Sequence, residues 1–588
     1  MKNVKITRKS FIKIATVVPF LGGAITSCGD SGDEDNTRES AKYEILSDVK
    51  TTLTETLIPN EYSDPNILIT DLDKVLKSGY GTLEVKAGEA HILDKSLLKD
   101  PDSYTEATER KSLLFFPQIT DIHLTDVQSP MRAVYGYVSH NGSAYRPQSI
   151  YSTHVLHSTI QTINAVHKIE KFNFVLATGD MIDNAEGAEL EWFNTIMNGG
   201  VVKAVTGSQE HDPIQGMGND FTDPYIAEGL ADDLPWYASI GNHDVLYVGI
   251  SYITDEKANN YVSSELSTIP FLGCDVYSGA QNPDTEYGEV QCGFERDNRN
   301  GAYLPVATDA CKSDLPRCDD FEVDPDPTRA PFRNHGEIID AIKDEGGFNK
   351  SNTDVQKGYY SIRPNKDIPL ELIFLDLSAT KKHFVKPSGE LQANQVLTNA
   401  LLGAEQFNWL KDKLDALKEE GVASIVIHHQ PTDHFQSQSE VSSTEYISTL
   451  KQYEDVLAII AGHTHKNKIR QFPAENDNEF PFVEVVTCGL LDFPEQSRIY
   501  EVVYNNNGTI SLFTTMLDHA SKKDSFSYNA RRLALAYTQV DKGGFGDYGT
   551  GTIDDRNREI IIPISTKLQA KLEALTVSSN YVKSLKIN

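Results

Sequence analysis

Short, nearly continuous apolar runs recur along the middle of the chain, and most end on a small polar set. Residues 113–119 run into Thr120-Asp121, 172–176 into Thr178-Gly179-Asp180, and 236–240 into Gly241-Asn242-His243. Residues 424–427 run into His428, and 456–461 into Gly462-His463. Residues 370–377 and 482–487 are further runs of the same kind. Runs this short, with little polar alternation, predict strands buried on both faces. Between them the period lengthens. Residues 404–419 set Phe407, Leu410, Leu414 and Leu417 on one helical stripe, and 152–168 read as another helix. Strands alternating with helices predict an α/β fold, whose ligands gather at the carboxyl ends of the strands. The polar sets stand at such ends. Residues 499–504 and 509–514 predict a hairpin across Asn505-Asn506-Asn507-Gly508.

Outside this pattern the chain divides into segments. Residues 1–27 carry Lys2, Lys5, Arg8, Lys9 and Lys13 without an acid, then an apolar stretch too short to span a bilayer. Ile25-Thr26-Ser27-Cys28 looks like a lipobox, so the expectation is an exported lipoprotein held to a membrane through lipidated Cys28, in the periplasm or at the cell surface. Thr7-Arg8-Lys9-Ser10-Phe11-Ile12-Lys13 resembles a twin-arginine signal with Lys at the second basic position, which leaves the export route open. Residues 28–41 read as a polar tether. Residues 42–110 form an N-terminal extension, 111–520 the main domain, and 521–588 a C-terminal extension in which 566–575 is the best helix candidate. Residues 245–355 interrupt the α/β pattern as an insertion rich in Asp, Asn, Pro and Gly, where substrate choice is expected to reside.

Composition narrows the function. Of 588 residues 39% are hydrophobic, enough for a sizeable core and against global disorder. The formal net charge is −31, which disfavours binding to nucleic acid by general electrostatics. An anionic substrate would need a local positive site. Cys274, Cys292, Cys311 and Cys318 cluster in the insertion and Cys488 stands apart. In an oxidising compartment the cluster suggests two disulfides, their pairing open; the absence of a CxxC pair argues against a zinc knot.

The chemistry lies in five motifs, in order: Asp121-Ile122-His123, Gly179-Asp180-Met181-Ile182-Asp183-Asn184, Gly241-Asn242-His243-Asp244, His428-His429-Gln430-Pro431 and Gly462-His463-Thr464-His465. Imidazole nitrogen with carboxylate and amide oxygen, and no thiolate, suits divalent or trivalent Mn, Fe or Zn alike. Together the motifs resemble the calcineurin-like metallophosphoesterase superfamily, over roughly residues 113–515. The resemblance implies a four-layer α/β/β/α sandwich and two metal ions about 3.5–4 Å apart that clamp an in-line displacement at phosphorus. It implies that Asp121, His123 and His465 hold one ion, that Asn242, His428 and His463 hold the other, and that Asp180 bridges them. A hydroxide between the ions would attack, His243 would protonate or stabilise the leaving oxygen, and Asp183 would orient His243. Either imidazole of the fourth motif can ligate; His428 directly follows the strand, as the family ligand does, and is the expected one.

Two departures narrow the reading. Asp183 stands where purple acid phosphatases have a tyrosine ligand, and Asn184-Ala185 stands where protein phosphatases have Arg-Gly. The expected activity is hydrolysis of a phosphomonoester or phosphodiester, of a phosphorylated small molecule or a phospholipid head group. A surface binding lipoprotein with a vestigial metal site is the alternative, and the intact ligand set argues against it. A non-hydrolytic metal scavenger would need neither His243 nor Asp183.

Overall fold

The computed structural model describes residues 45–60, 79–106, 109–132, 146–207, 221–263, 294–296, 303–305, 324–342, 347–348, 357–540, 549–576 and 581–587. The leader, Cys28 and the tether lie outside the described residues, as do Cys274, Cys292, Cys311 and Cys318.

Thirteen strands build two mixed sheets. In chain order they are β1 (Ile92–Asp94), β2 (Lys111–Ile119), β3 (Val175–Thr178), β4 (Trp236–Ser239), β5 (Tyr360–Ile362), β6 (Leu370–Phe374), β7 (Ala423–Ile427), β8 (Val456–Ala461), β9 (Lys468–Phe472), β10 (Phe482–Val486), β11 (Gln496–Tyr504), β12 (Thr509–Asp518) and β13 (Arg558–Pro563). The first sheet has the order β1-β13-β12-β11-β2-β3-β4 and the second β5-β6-β7-β8-β10-β9. The expected hairpin is β11–β12, paired antiparallel from Gln496↔Asp518 to Tyr504↔Ile510. The first sheet also takes β1 from the N-terminal extension and β13 from the C-terminal one.

The strands that carry the motifs run parallel within each sheet: β2, β3 and β4 in the first, β7 and β8 in the second. Their carboxyl ends therefore lie together, as the pattern predicted. Helix α1 (Ser152–Ile169) connects β2 to β3 and α2 (Gly187–Asn198) follows β3; α3 (Ala404–Glu420) connects β6 to β7.

The second sheet divides its side chains by the period of two that a strand imposes. Leu372, Phe374, Ile425, Ile427 and Ile460 join the core shared with Phe116, Val175 and Tyr500 of the first sheet. Ile373, Val426 and Ile459 instead pack with Phe407, Leu410, Leu414 and Leu417 of α3 and with Tyr446 of α4 (Ser443–Leu450). The stripe read from sequence thus covers the outer face of this sheet. Phe116 stacks with Phe174 and Tyr500, ring centroids 4.5 and 5.3 Å away.

Candidate metal centre

Turns at the strand ends are unusually tight. Asp121, His123, Asp180, His463 and His465 all have positive φ, from 48° to 73°, a left-handed backbone that non-glycine residues rarely adopt. Such conformations persist where surrounding contacts fix them, and they gather at functional sites. The contacts here are main-chain ones. The amides of Ile122 and His123 donate to the Asp180 carbonyl at 2.8 and 3.0 Å, and Gly462 donates to the His429 carbonyl at 2.9 Å. Side chains extend the ties. His243 N–H donates to Asp180 Oδ1 at 2.8 Å. His463 N–H, from the second sheet, donates to both Asp121 oxygens at 3.0 and 2.9 Å.

Among the groups of ligand atoms that result are Asp121, His123 and His465, and Asp180, His429 and His463, buried except for the half-buried His463 and His465; a third group, His123, Asp183 and His243, shares His123 with the first. In the first, His123 Nε2 and His465 Nε2 are 3.1 Å apart, and His465 Nε2 is 3.2 Å from Asp121 Oδ1. In the second, His429 Nε2 is 3.0 Å from Asp180 Oδ2. The same oxygen lies 3.7 Å from His123 Nε2, so Asp180 stands between the clusters. Asn242 Nδ2 donates to the Gly249 carbonyl at 2.9 Å. Its Oδ1 is buried without a hydrogen-bond partner among the described residues. A buried amide oxygen left unpaired is costly unless a cation or other donor meets it. The donor set fits divalent metal ions: ring nitrogens and carboxylate oxygens converge, and among the described residues no ammonium or guanidinium pairs with Asp121 or Asp180.

The structure differs from the sequence reading at the fourth motif. His429, not His428, joins Asp180 and His463. Ile425 and Ile427 face the core between the sheets, so His429 continues that face; Val426 faces the helices, and His428 follows it. His428 Nδ1 donates to the Gln430 carbonyl at 2.7 Å, and its ring lies edge-on to Tyr446. His429 Nδ1 donates to the Thr178 carbonyl at 2.7 Å, which ties β7 to the first sheet. The alternation of side chains along β7 was the signal that separates the two.

Asp183 also plays a different part from the expected one. Its carboxylate holds His123, with Oδ1 3.0 Å from Nδ1. His243 Nδ1 donates instead to the Asp183 main-chain carbonyl at 2.6 Å and is 3.6 Å from the carboxylate. Asp183 therefore orients both rings, one through its side chain and the other through its backbone.

Electrostatics follow this crowding. Burial pushes His123 and His463 down to about 4 and about 3, so both rings are neutral. Burial also opposes charge on His429 and His465, but Asp180 and Asp121 outweigh it for His429 and Asp121 for His465, raising each ring to about 9. Burial works against ionised Asp121 too, yet His465 and His429 bring it to about 2. A negative field strong enough to hold protons on buried imidazoles is the field that would favour a cation there.

Several contributors escaped the sequence reading. Asp492 and Arg146 stand behind His465. Asp244 binds the loops of the second and third motifs. Gly249, at φ +67°, lies where a Cβ would fall 2.3 Å from His243 Nε2. Asp244 closes the third motif, but its role, like those of Asp492 and Arg146, depends on partners distant along the chain. His154 and His157 pack on Tyr225, as ordinary helix residues. His434 stands edge-on to His463 with ring centroids 5.7 Å apart. Directly after the third motif, Val245 and Leu246 line a cavity of about 610 Å³ with Tyr252, Arg333, His335 and Lys381.

No protein-family profile and no curated protein matches the chain. Among solved structures it is similar to a crystal structure of a dimetal phosphatase from Danio rerio, at 12% identity and a TM-score of 0.32, over 70% of this chain and 100% of that one.

Proposed function

We propose that the protein is a dinuclear metal-dependent phosphoric ester hydrolase built on a four-layer α/β/β/α metallophosphoesterase sandwich. The observation that carries the reading is the pair of ligand clusters with Asp180 between them. Asp121, His123 and His465 would hold one ion, Asn242, His429 and His463 the other, and Asp180 both, with Mn, Fe or Zn compatible with these donors. When bound, such ions supply Lewis acidity toward a phosphoryl oxygen and an activated water. His243 would deliver a proton to the leaving oxygen, its ring fixed through Nδ1 by the Asp183 carbonyl. The cavity beside Val245 and Leu246 would take the alcohol part of the ester, which agrees with substrate choice residing in 245–355. Export and lipidation at Cys28 remain part of this reading, with a phosphorylated small molecule or phospholipid as substrate outside the cytoplasm.

The test is hydrolysis of p-nitrophenyl phosphate and bis-p-nitrophenyl phosphate with Mn²⁺, Fe²⁺ or Zn²⁺ added separately, beside His243→Ala. Metal-dependent turnover that the variant loses supports a hydrolase, and the better ester separates monoesterase from diesterase. Two bound ions per chain with no turnover of either ester would favour the binding-lipoprotein reading instead.

A further inference from the structure

His123 and His465 approach one point from two motifs, and each has a carboxylate behind it. Asp183 Oδ1 is 3.0 Å from His123 Nδ1, and Asp492 Oδ2 is 2.5 Å from His465 Nδ1. A carboxylate only accepts, so both Nδ1 atoms carry a hydrogen and both Nε2 atoms are turned toward the 3.1 Å gap between the rings.

Asp183 belongs to the second motif, but Asp492 belongs to none. It is nonetheless the more firmly held of the two. Arg146 Nε donates to both its oxygens, at 2.8 and 3.0 Å, and Gln148 Nε2 donates to Oδ1 at 3.1 Å. Gln148 also donates to the Leu491 carbonyl at 3.1 Å, which fixes the backbone beside Asp492. Arg146 and Gln148 are both buried. On the other cluster, the outward nitrogen of His429 meets a neutral main-chain carbonyl. The two clusters thus differ in what stands behind their imidazoles.

We propose that Asp492, clamped by Arg146 and Gln148, is a positioning residue that fixes the ring and tautomer of His465 and strengthens the hold on the ion shared by Asp121, His123 and His465. The inference rests on the dinuclear reading above. Removing such an outer partner typically costs about 10–100-fold in metal affinity.

The experiment is an EDTA titration of the full chain loaded with Zn²⁺ or Mn²⁺, followed by atomic spectrometry of the retained ion, and needs no turnover. Wild type is expected to hold two ions. Asp492→Asn, nearly the same shape, is expected to release one of them at roughly 10–100-fold lower free chelator while the other is unmoved. Arg146→Gln is expected to shift the same ion, and the double variant no further than Asp492→Asn alone, because both act along one route. If both ions leave Asp492→Asn and Arg146→Gln at the wild-type chelator concentration, the pair is a structural ion pair only and the proposal is overturned. A wild-type chain that binds no ion overturns the dinuclear reading itself, a different result.

Discussion

Asp244 Oδ2 accepts the main-chain N–H of Asp180 at 3.0 Å, so the carboxylate proposed to bridge two ions hangs on a second, buried carboxylate. Asp244 also accepts from Met181 at 2.8 Å, Ile182 at 3.2 Å and Gly241 at 2.7 Å. One side chain therefore satisfies amides of two motif loops that are distant in sequence. It accounts for the acidic residue after Asn242-His243, which ligates nothing in either cluster.

Asp244→Ala is accordingly expected to leave these amides buried without acceptors. A buried donor left without its acceptor costs about 1–3 kcal/mol, though not additively. A loss of at least about 3 kcal/mol in urea unfolding is expected, together with loss of bound metal. An unfolding curve that overlays wild type would remove Asp244 from this role.

His428 and His429 are expected to separate cleanly. His429→Ala should retain one ion per chain by atomic spectrometry and lose turnover by at least about 100-fold, the scale of a misplaced reacting group. His428→Ala should retain both ions, because its ring faces Tyr446 and the Gln430 carbonyl. Its cost should fall on stability, roughly 2–4 kcal/mol for a buried side chain removed. The opposite pattern of metal content would restore His428 as the ligand.

Gly249→Ala tests the approach of the backbone to His243. The new Cβ would lie 2.1 Å from His243 Cδ2 and 2.6 Å from Asn242 Nδ2, and φ is +67°. Both rearrangement and backbone strain follow. Turnover of p-nitrophenyl phosphate is expected to fall about 100-fold, with a smaller effect on the melting temperature of about the size one strained residue produces. Unchanged turnover would mean that the close approach of Gly249 does not govern the proposed role of His243.

How far the chain announced this arrangement depends on the range of the interaction. Asp121, His123, Asp180, Asn242, His463 and His465 stand on turns directly after strands, and the apolar runs before them are local signals. The structure brings Asp121, His123, Asp180, His463 and His465 together in the ligand clusters. The two side chains that the structure places differently from the expectation, His428 and the Asp183 carboxylate, depend on which face of a strand or which neighbouring ring they meet. For His428 that information was present as the period of two along β7, and adjacency to the strand end was the weaker guide. Asp492, Arg146 and Gly249 could not be read at all, since each acts on a motif through a contact formed only on folding. The first sheet shows the same limit: β1 and β13 pair parallel with Arg558↔Ile92, far apart in the chain.

A pH effect is expected away from the two ligand clusters, at His335 and Asp376. His335 Nδ1 pairs with Asp376 Oδ2, and both side chains are buried. Burial alone would lower the His335 ring, but the Asp376 carboxylate outweighs it and holds the ring above its ordinary value of 6.5. The folded chain then binds this proton more tightly than the unfolded chain. Its stabilisation is fully present below the unfolded value and is lost as pH rises through the folded one. The stability difference between wild type and His335→Gln should therefore be larger near pH 6 than near pH 9, about half a unit below and well above the ordinary histidine value. Urea unfolding of both chains at the two pH values measures it, and comparison at equal pH cancels titrations they share. A difference that is the same at both, or larger at the alkaline one, would mean that the proton on His335 contributes nothing to the fold.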